Sequence, residues 1–213
     1  MTVLSTLADL PIESPLTGIE RNGVFDAATR VALGEITGRT LLHVRGAENG
    51  SVKVGDVSAT PNGLLVQLRR DEFVLLTQDG QAALNQWNEE IKDIKRRTES
   101  DLFLPVTFTD ITHGRSTMLL VGKQSARVLA KVCGLDFSDA QFPNLHAAQT
   151  SLAKVRTLII RADIDDATPS YALIVDRSLA AYVWGIVFDA MQEFGGVALS
   201  EDGLKTLRTA TLW

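Results

Sequence analysis

The sequence predicts an α+β protein made of two related units, each a mainly antiparallel sheet with helices on one face. Three observations predict it. Short β-rich runs bounded by turn residues recur along the chain, among them RTLLHVRG (39–46), GLLVQLRRDEFVLLT (63–77), RSTMLLVG (115–122) and SYALIVD (170–176). Apolar residues take up helical spacing downstream of Asp79, and again downstream of Asp176. The two halves also run in a similar order, each with a strand pair leading into a strongly amphipathic helix.

Residues 1–36 read as an irregular N-terminal arm, broken at Pro11, Pro15, Gly18 and Gly23, with one short helix near Phe25–Leu33. Its apolar residues Leu4, Leu7, Leu10 and Ile12 want a surface to cover. Residues 37–100 form the first α+β subdomain. Its strand at 39–46 is followed by the turn-rich stretch 47–62, then by a strand pair folded about the polar tetrapeptide Arg69–Glu72. A helix follows, with Asp79 as N-cap and Leu84, Trp87, Ile91 and Ile94 as its buried stripe. Lys92, Lys95, Arg96 and Arg97 fall at its C-terminal end, where the macrodipole favours positive charge.

Residues 101–196 form the second subdomain. A strand containing Pro105 comes first, then RSTMLLVG, then a helix over KQSARVLAKVCG. That helix carries Ala126, Leu129, Ala130 and Cys133 on one face, with Gly134 as its stop. Residues 147–164 read as a hairpin turning near Ala153–Lys154. After the strand SYALIVD, Asp176 caps the last long helix, which Gly195 and Gly196 end. Residues 197–213 form a C-terminal tail.

The bulk numbers narrow the function. The chain has 213 residues, is 45% hydrophobic and 22% charged, and carries a formal charge of −5. That balance speaks against nucleic-acid binding, which wants a basic face. Cys133 is the only cysteine, so the chain forms no disulfide within itself and offers no multi-cysteine zinc site. No secretory signal is read at the start, and no apolar run is long enough to span a bilayer. A cytoplasmic location, with no membrane and no nucleic acid as partner, is the expectation.

Candidate catalytic groups are sparse. Asp110, His113 and Ser116 cluster in sequence, but on an extended chain a triad does not assemble from such near neighbours. A polar bend before a strand is the plainer reading. DIDD (163–166) lacks the glycine turn and terminal glutamate of a calcium loop and reads as a solvated hairpin loop. His43 is a core or edge histidine on its strand, and Cys133 is buried and inert. No phosphate-cradling glycine loop is present.

The stretch DITHGRSTMLLVGKQSARVLAKVCGLDF, with the later FP and AAQT, resembles the gamma subunit of heterotetrameric sarcosine oxidase. The features that carry it fall on Asp110, Gly114, Arg115, Gly122, Ser125, Ala126, Arg127, Leu129, Lys131, Cys133, Leu135, Asp136, Phe142, Pro143, Ala148, Gln149 and Thr150. DDATPSY (165–171) and DRSLAAYVWGIV (176–187) look like the family's later hairpin and final helix, while Asp71–Glu72 and SPL (14–16) extend the likeness more weakly.

The resemblance implies two ferredoxin-like-type subdomains, as in the folate-binding domain of aminomethyltransferases. It implies a non-catalytic subunit with alpha, beta and delta partners. Their complex demethylates sarcosine oxidatively to glycine, forms hydrogen peroxide and passes the methyl carbon to tetrahydrofolate. FAD, FMN, NAD, tetrahydrofolate and zinc are then implied for the whole complex and none for this chain. Asp110, Gly114, Arg115, Phe142, Pro143, Gln149 and Thr150 become family-motif or interface candidates, with no catalytic residue to carry over. Two readings of Arg115 stay open: a bidentate hold on a partner's carboxylate, or a pair within the chain, for example with Asp110. The alternative function is a stand-alone folate-binding, aminomethyltransferase-like protein. The Lys-Gly-Cys-Tyr-x-Gly-Gln-Glu motif of folate-dependent iron–sulfur maturation proteins is absent.

Overall fold

A computed structural model describes residues 14–26, 29–46, 52–60, 63–83, 85 and 106–207. Two sheets dominate it. The larger contains β1 (Ala32–Ile36), β7 (Arg115–Val121), β8 (His146–Leu152), β9 (Val155–Arg161), β10 (Ser170–Asp176) and β11 (Val197–Leu199). Its order is β11-β1-β7-β10-β9-β8, antiparallel except where β1 runs parallel to β11. The smaller sheet contains β2 (Thr40–Arg45), β3 (Val57–Thr60), β4 (Gly63–Arg69), β5 (Glu72–Thr77) and β6 (Thr107–Asp110), in the order β3-β4-β5-β2-β6. Helices α1 (Ser125–Val132), α2 (Ala180–Met191) and α3 (Glu201–Leu207) complete the regular elements among the described residues.

The layers follow from strand alternation. Met118 and Leu120 on β7, with Tyr171, Leu173 and Val175 on β10, point toward Val128 and Leu129 of α1 and Val183, Trp184 and Val187 of α2. Their neighbours Leu119, Val121, Ala172 and Ile174 point the other way, against Leu41, Leu64, Val66, Val74 and Leu76 of the smaller sheet. The larger sheet is therefore the middle layer, which is why its central strands read as unbroken apolar runs. The far face of the smaller sheet buries Leu42, Val44, Leu65, Phe73 and Leu75.

Local chemistry sets the connections. Arg70 and Asp71 make the tight turn between β4 and β5. Leu152 and Val155 close the β8–β9 hairpin around Ala153 and Lys154, both at positive φ (49° and 67°). That backbone matches strand twist, but left-handed residues other than glycine cost roughly 1–2 kcal/mol each. Ala153 N–H repays part of this by donating to Val132 O at 2.8 Å. After β7 the chain swings at Gly122 (φ 115°), where a Cβ would lie 2.5 Å from Arg30 O. Asp176 accepts from Ser178 N–H and hydroxyl, capping the 3-10 turn that feeds α2. Gly195, left-handed at φ 67°, ends that run. Asp79 caps as expected, accepting from Ala82 N–H at 2.8 Å, and residues 80–83 are helical. The rest of that expected helix, with Leu84, Trp87, Ile91, Ile94 and the basic cluster, lies outside the described residues.

Three expectations from sequence differ from what forms. No helix spans Phe25–Leu33; residues 24–26 and 29–31 are irregular and Ala32 begins β1. The arm-and-tail division also gives way, because β1 from the expected arm and β11 from the expected tail pair with each other at the edge of the larger sheet. The tail further supplies α3, whose Leu204 is fully buried. Finally, the seam near residue 100 is crossed by β6, which pairs with β2 (Leu42↔Asp110). Periodicity along a strand reports which face is buried and carries no information about which strand lies beside it.

Candidate functional site

At the end of the sandwich where β4 turns into β5, a cleft of about 400 Å³ opens between the two sheets. One wall comes from the smaller sheet. His43 and Arg45 lie on the face of β2 opposite Leu42 and Val44, so both turn toward the larger sheet. Arg45 is in register with Glu72 at the start of β5. His43 Nε2 lies 2.7 Å from Glu72 Oε1, Arg45 Nη2 donates to the same oxygen at 3.1 Å, and Arg69 Nε stands 3.3 Å from Oε2. Burial alone would push the Glu72 carboxyl up. The hydrogen bonds and charges of His43 and Arg45 outweigh that and hold it below its ordinary value.

The other wall comes from β7, β8, β9 and β10. Arg115 and Asp176 face each other in register, joined by Arg115 Nη1 to Asp176 Oδ2 at 3.2 Å. Arg156 Nη2 donates to the amide oxygen of Gln149 at 3.3 Å. Apolar side chains, among them Leu68, Val155, Leu158, Ile174 and Leu179, fill the space between these groups. The result is an apolar-walled cleft with a polar rim, of a size proper to a ligand or an inserted side chain.

The candidates from sequence divide between this cleft and three other places. Arg115 and Gln149 both line it. Of the two readings of Arg115, the geometry shows a pair within the chain, with Asp176 in place of Asp110. Asp110 instead accepts from Thr112 N–H at 2.9 Å and shapes the 3-10 turn before β7, where Gly114 stands open to solvent. His113 is exposed on that turn, and Ser116 is buried and donates to Glu35 Oε1 at 3.1 Å. Asp110, His113 and Ser116 therefore do not converge. Thr150 faces the helices, 3.7 Å from the buried Cys133 Sγ.

Pro143, exposed, follows Phe142, which belongs to a separate lock around Arg161. Its guanidinium donates to both oxygens of Asp163 (2.9–3.2 Å), to Asp139 at 2.6 Å and to Phe142 O at 2.7 Å, and it lies over the Tyr171 ring. Burial pushes the Tyr171 hydroxyl up to about 12. The acidic run 163–166 is thus no simply solvated loop, since Asp163 is held by Arg161 and by Ser170 N–H. Sequence reasoning passed over Glu35, a carboxylate only 3% exposed that accepts from Ser14, Arg21 and Ser116. A lone glutamate inside an apolar strand was the available signal. Among the described residues no group of three or more His, Cys, Asp or Glu side chains could hold a metal ion, and no helix is long and apolar enough to cross a membrane.

A mixed α+β sandwich of this kind, carrying helices on its middle sheet, is structurally similar to the aminomethyltransferase folate-binding domain. The family model of the GCVT N-terminal domain matches residues 55–211, and the chain belongs to that family. It is 28% identical over 174 residues to sarcosine oxidase subunit alpha of Corynebacterium sp. (strain P-1), a match covering 80% of this chain but only 17% of that subunit. The chain therefore spans about a sixth of the length of that curated relative. Among solved structures, one chain of the heterotetrameric sarcosine oxidase from Corynebacterium sp. U-96, in complex with pyrrole 2-carboxylate, matches with a TM-score of 0.69 at 24% identity, covering 88% of this chain and 98% of that one. The glycine cleavage system aminomethyltransferase T from Bartonella henselae matches with a TM-score of 0.59 at 16% identity, covering 84% of this chain and half (50%) of that one.

Proposed function

We propose that this chain is a non-catalytic, gamma-type subunit of a sarcosine-oxidase-type heterotetramer, assembling with alpha, beta and delta subunits in the cytoplasm. The oxidative demethylation of sarcosine to glycine, with peroxide formed and the methyl carbon passed to tetrahydrofolate, then takes place on the partners. They carry the FAD, FMN, NAD, folate and zinc. One observation carries the reading: the fold matches 98% of a chain from such a heterotetramer, whereas it accounts for only a fraction of the alpha subunit and half of the aminomethyltransferase. A match that takes in nearly all of a separate chain of such an assembly supports the small-subunit reading. The pairing of the cleft's acids with arginines, Glu72 with Arg45 and Asp176 with Arg115, fits the same reading.

The test is co-expression with neighbouring flavoprotein genes and purification through this chain. Recovery of a yellow complex that makes peroxide from sarcosine is the expected result. Recovery of the chain alone, with saturable tetrahydrofolate binding on titration, would replace the subunit reading by that of a stand-alone folate-binding protein.

A further inference from the structure

Strand β8 is an edge strand of the larger sheet, paired with β9 on one side. Among the described residues its other side is covered at the two ends alone, by the isolated bridges Asp56↔His146 and Cys133↔Leu152. Ala147 N–H donates outward to Gly55 O at 2.7 Å, and Ala153 N–H donates outward to Val132 O at 2.8 Å. The register with β9 is unbroken from His146 to Leu152. Alternation then fixes the direction of the groups between: the N–H and C=O of Gln149 and of Ser151 also point away from β9. The isolated bridge Cys133↔Leu152 takes up the Ser151 C=O, while among the described residues no strand pairs with the Gln149 N–H and C=O or with the Ser151 N–H, and both residues are exposed. The result is a short open slot, closed at each end by the chain itself.

The slot borders the cleft, since Gln149, Val155 and Arg156 line it. It is also basic. Arg115 is neutralised by Asp176, but among the described residues Arg156 bonds the neutral amide of Gln149 and no carboxylate. Lys154, at the hairpin tip, forms no ion pair among the described residues. Two cations unpaired with any described carboxylate thus mark this edge on a chain whose formal charge is −5. Leu179, 41% exposed, stands at the mouth of the cleft, and Tyr182, 52% exposed, reaches from α2 to Ala153 O beside it.

We propose that an extended, acidic segment of a partner subunit docks on this edge. Its backbone pairs with Gln149 and with the Ser151 N–H, an acidic side chain meets Arg156, with Lys154 adding positive charge at the hairpin tip, and an apolar side chain enters the cleft against Val155 and Leu179. Extended pairing supplies affinity through main-chain hydrogen bonds, while alternate side chains supply selectivity. The proposal rests on the subunit reading and names the surface that reading lacks. Gln149 and Thr150, singled out as motif residues in the sequence, lie on this strand, with Gln149 at the contact.

The experiment uses the full chain, tagged and co-expressed with the partner flavoprotein subunits. Three forms are compared: unaltered, Arg156→Glu and Ser151→Pro. Proline at 151 removes an outward N–H that the β8–β9 ladder does not use and places its ring in the slot. Arg156 is exposed, so its replacement leaves the core untouched. Each variant should recover roughly tenfold less partner, the scale of one lost charge-assisted hydrogen bond, while its own melting midpoint stays close to that of the unaltered chain. A photo-crosslinking residue at 149 should capture an acidic stretch of the partner.

Full partner recovery by a folded Arg156→Glu chain overturns the proposal, whatever the proline variant does. So does a crosslink to a second copy of this chain or to a stretch without acidic residues. Failure of the unaltered chain to recover any partner removes the subunit reading itself, and is seen before any variant is compared.

Discussion

Arg161 and Glu72 are both charged groups withdrawn from water, and their surroundings differ in one respect. Most partners of Arg161 are enclosed: Asp163 is 11% exposed at its side chain, Phe142 O is internal, and the Tyr171 ring lies beneath, while Asp139, 89% exposed, reaches it from the surface. The arginine partners of Glu72 are largely in solvent, Arg45 64% and Arg69 70% exposed, while His43 is 19% exposed. The first arrangement fixes geometry, because every group in it loses its counterpart if one leaves. The second tolerates rearrangement, because water can replace a departing arginine. A guanidinium enclosed on most sides holds the loop 136–145 onto the larger sheet; a carboxylate whose arginines lie in solvent leaves the cleft mouth adaptable.

The comparison is broken most directly at Arg161. Arg161→Ala should cost about 3 kcal/mol of unfolding free energy, since it strands the Asp163 carboxylate and frees Phe142 O. Urea denaturation measures it, and a cost below about 1 kcal/mol would mean that the lock is not a unit. A smaller effect is expected at Glu35, the other enclosed charge. Ser116→Ala removes one donor but leaves Arg21 and Ser14, so a loss of about 1 kcal/mol is expected from the same denaturation curves.

Much of the fold is legible in the sequence for reasons these sites illustrate. The β8–β9 turn at Ala153–Lys154 is readable without a glycine or asparagine, because the runs on either side leave only those two residues to reverse the chain. The β4–β5 turn and the Asp79 and Asp176 caps are readable because they are local chemistry. The pairing of β1 with β11 is not, since the partners lie far apart in sequence and each is short. The cleft is hidden for the same reason. His43 and Glu72 are 29 positions apart, and Arg115 and Asp176 are 61 apart. Each pair meets only because strand register places it there. Arg115 and Gln149 stood out through family likeness, and it took the fold to bring them to one cleft.

The finest test of the comparison is acid titration of the open site. The folded Glu72 carboxyl is held below its reference value of 4.5. A carboxylate with a depressed folded pKa stabilises the folded chain fully above its unfolded pKa, and that contribution is lost as pH falls through the folded one. Glu72→Gln should therefore lower the melting midpoint at pH 7 by a small amount, equivalent to no more than about 1 kcal/mol because its cations are solvent-exposed. The deficit should shrink as pH falls below about 4.5 and vanish once the native carboxylate is itself protonated. Raising the salt concentration should shrink it too, as expected for a pair open to solvent and not for an enclosed one. A deficit that persisted unchanged at acid pH would instead assign the role of Glu72 to packing, and the contrast with Arg161 would lose its electrostatic basis.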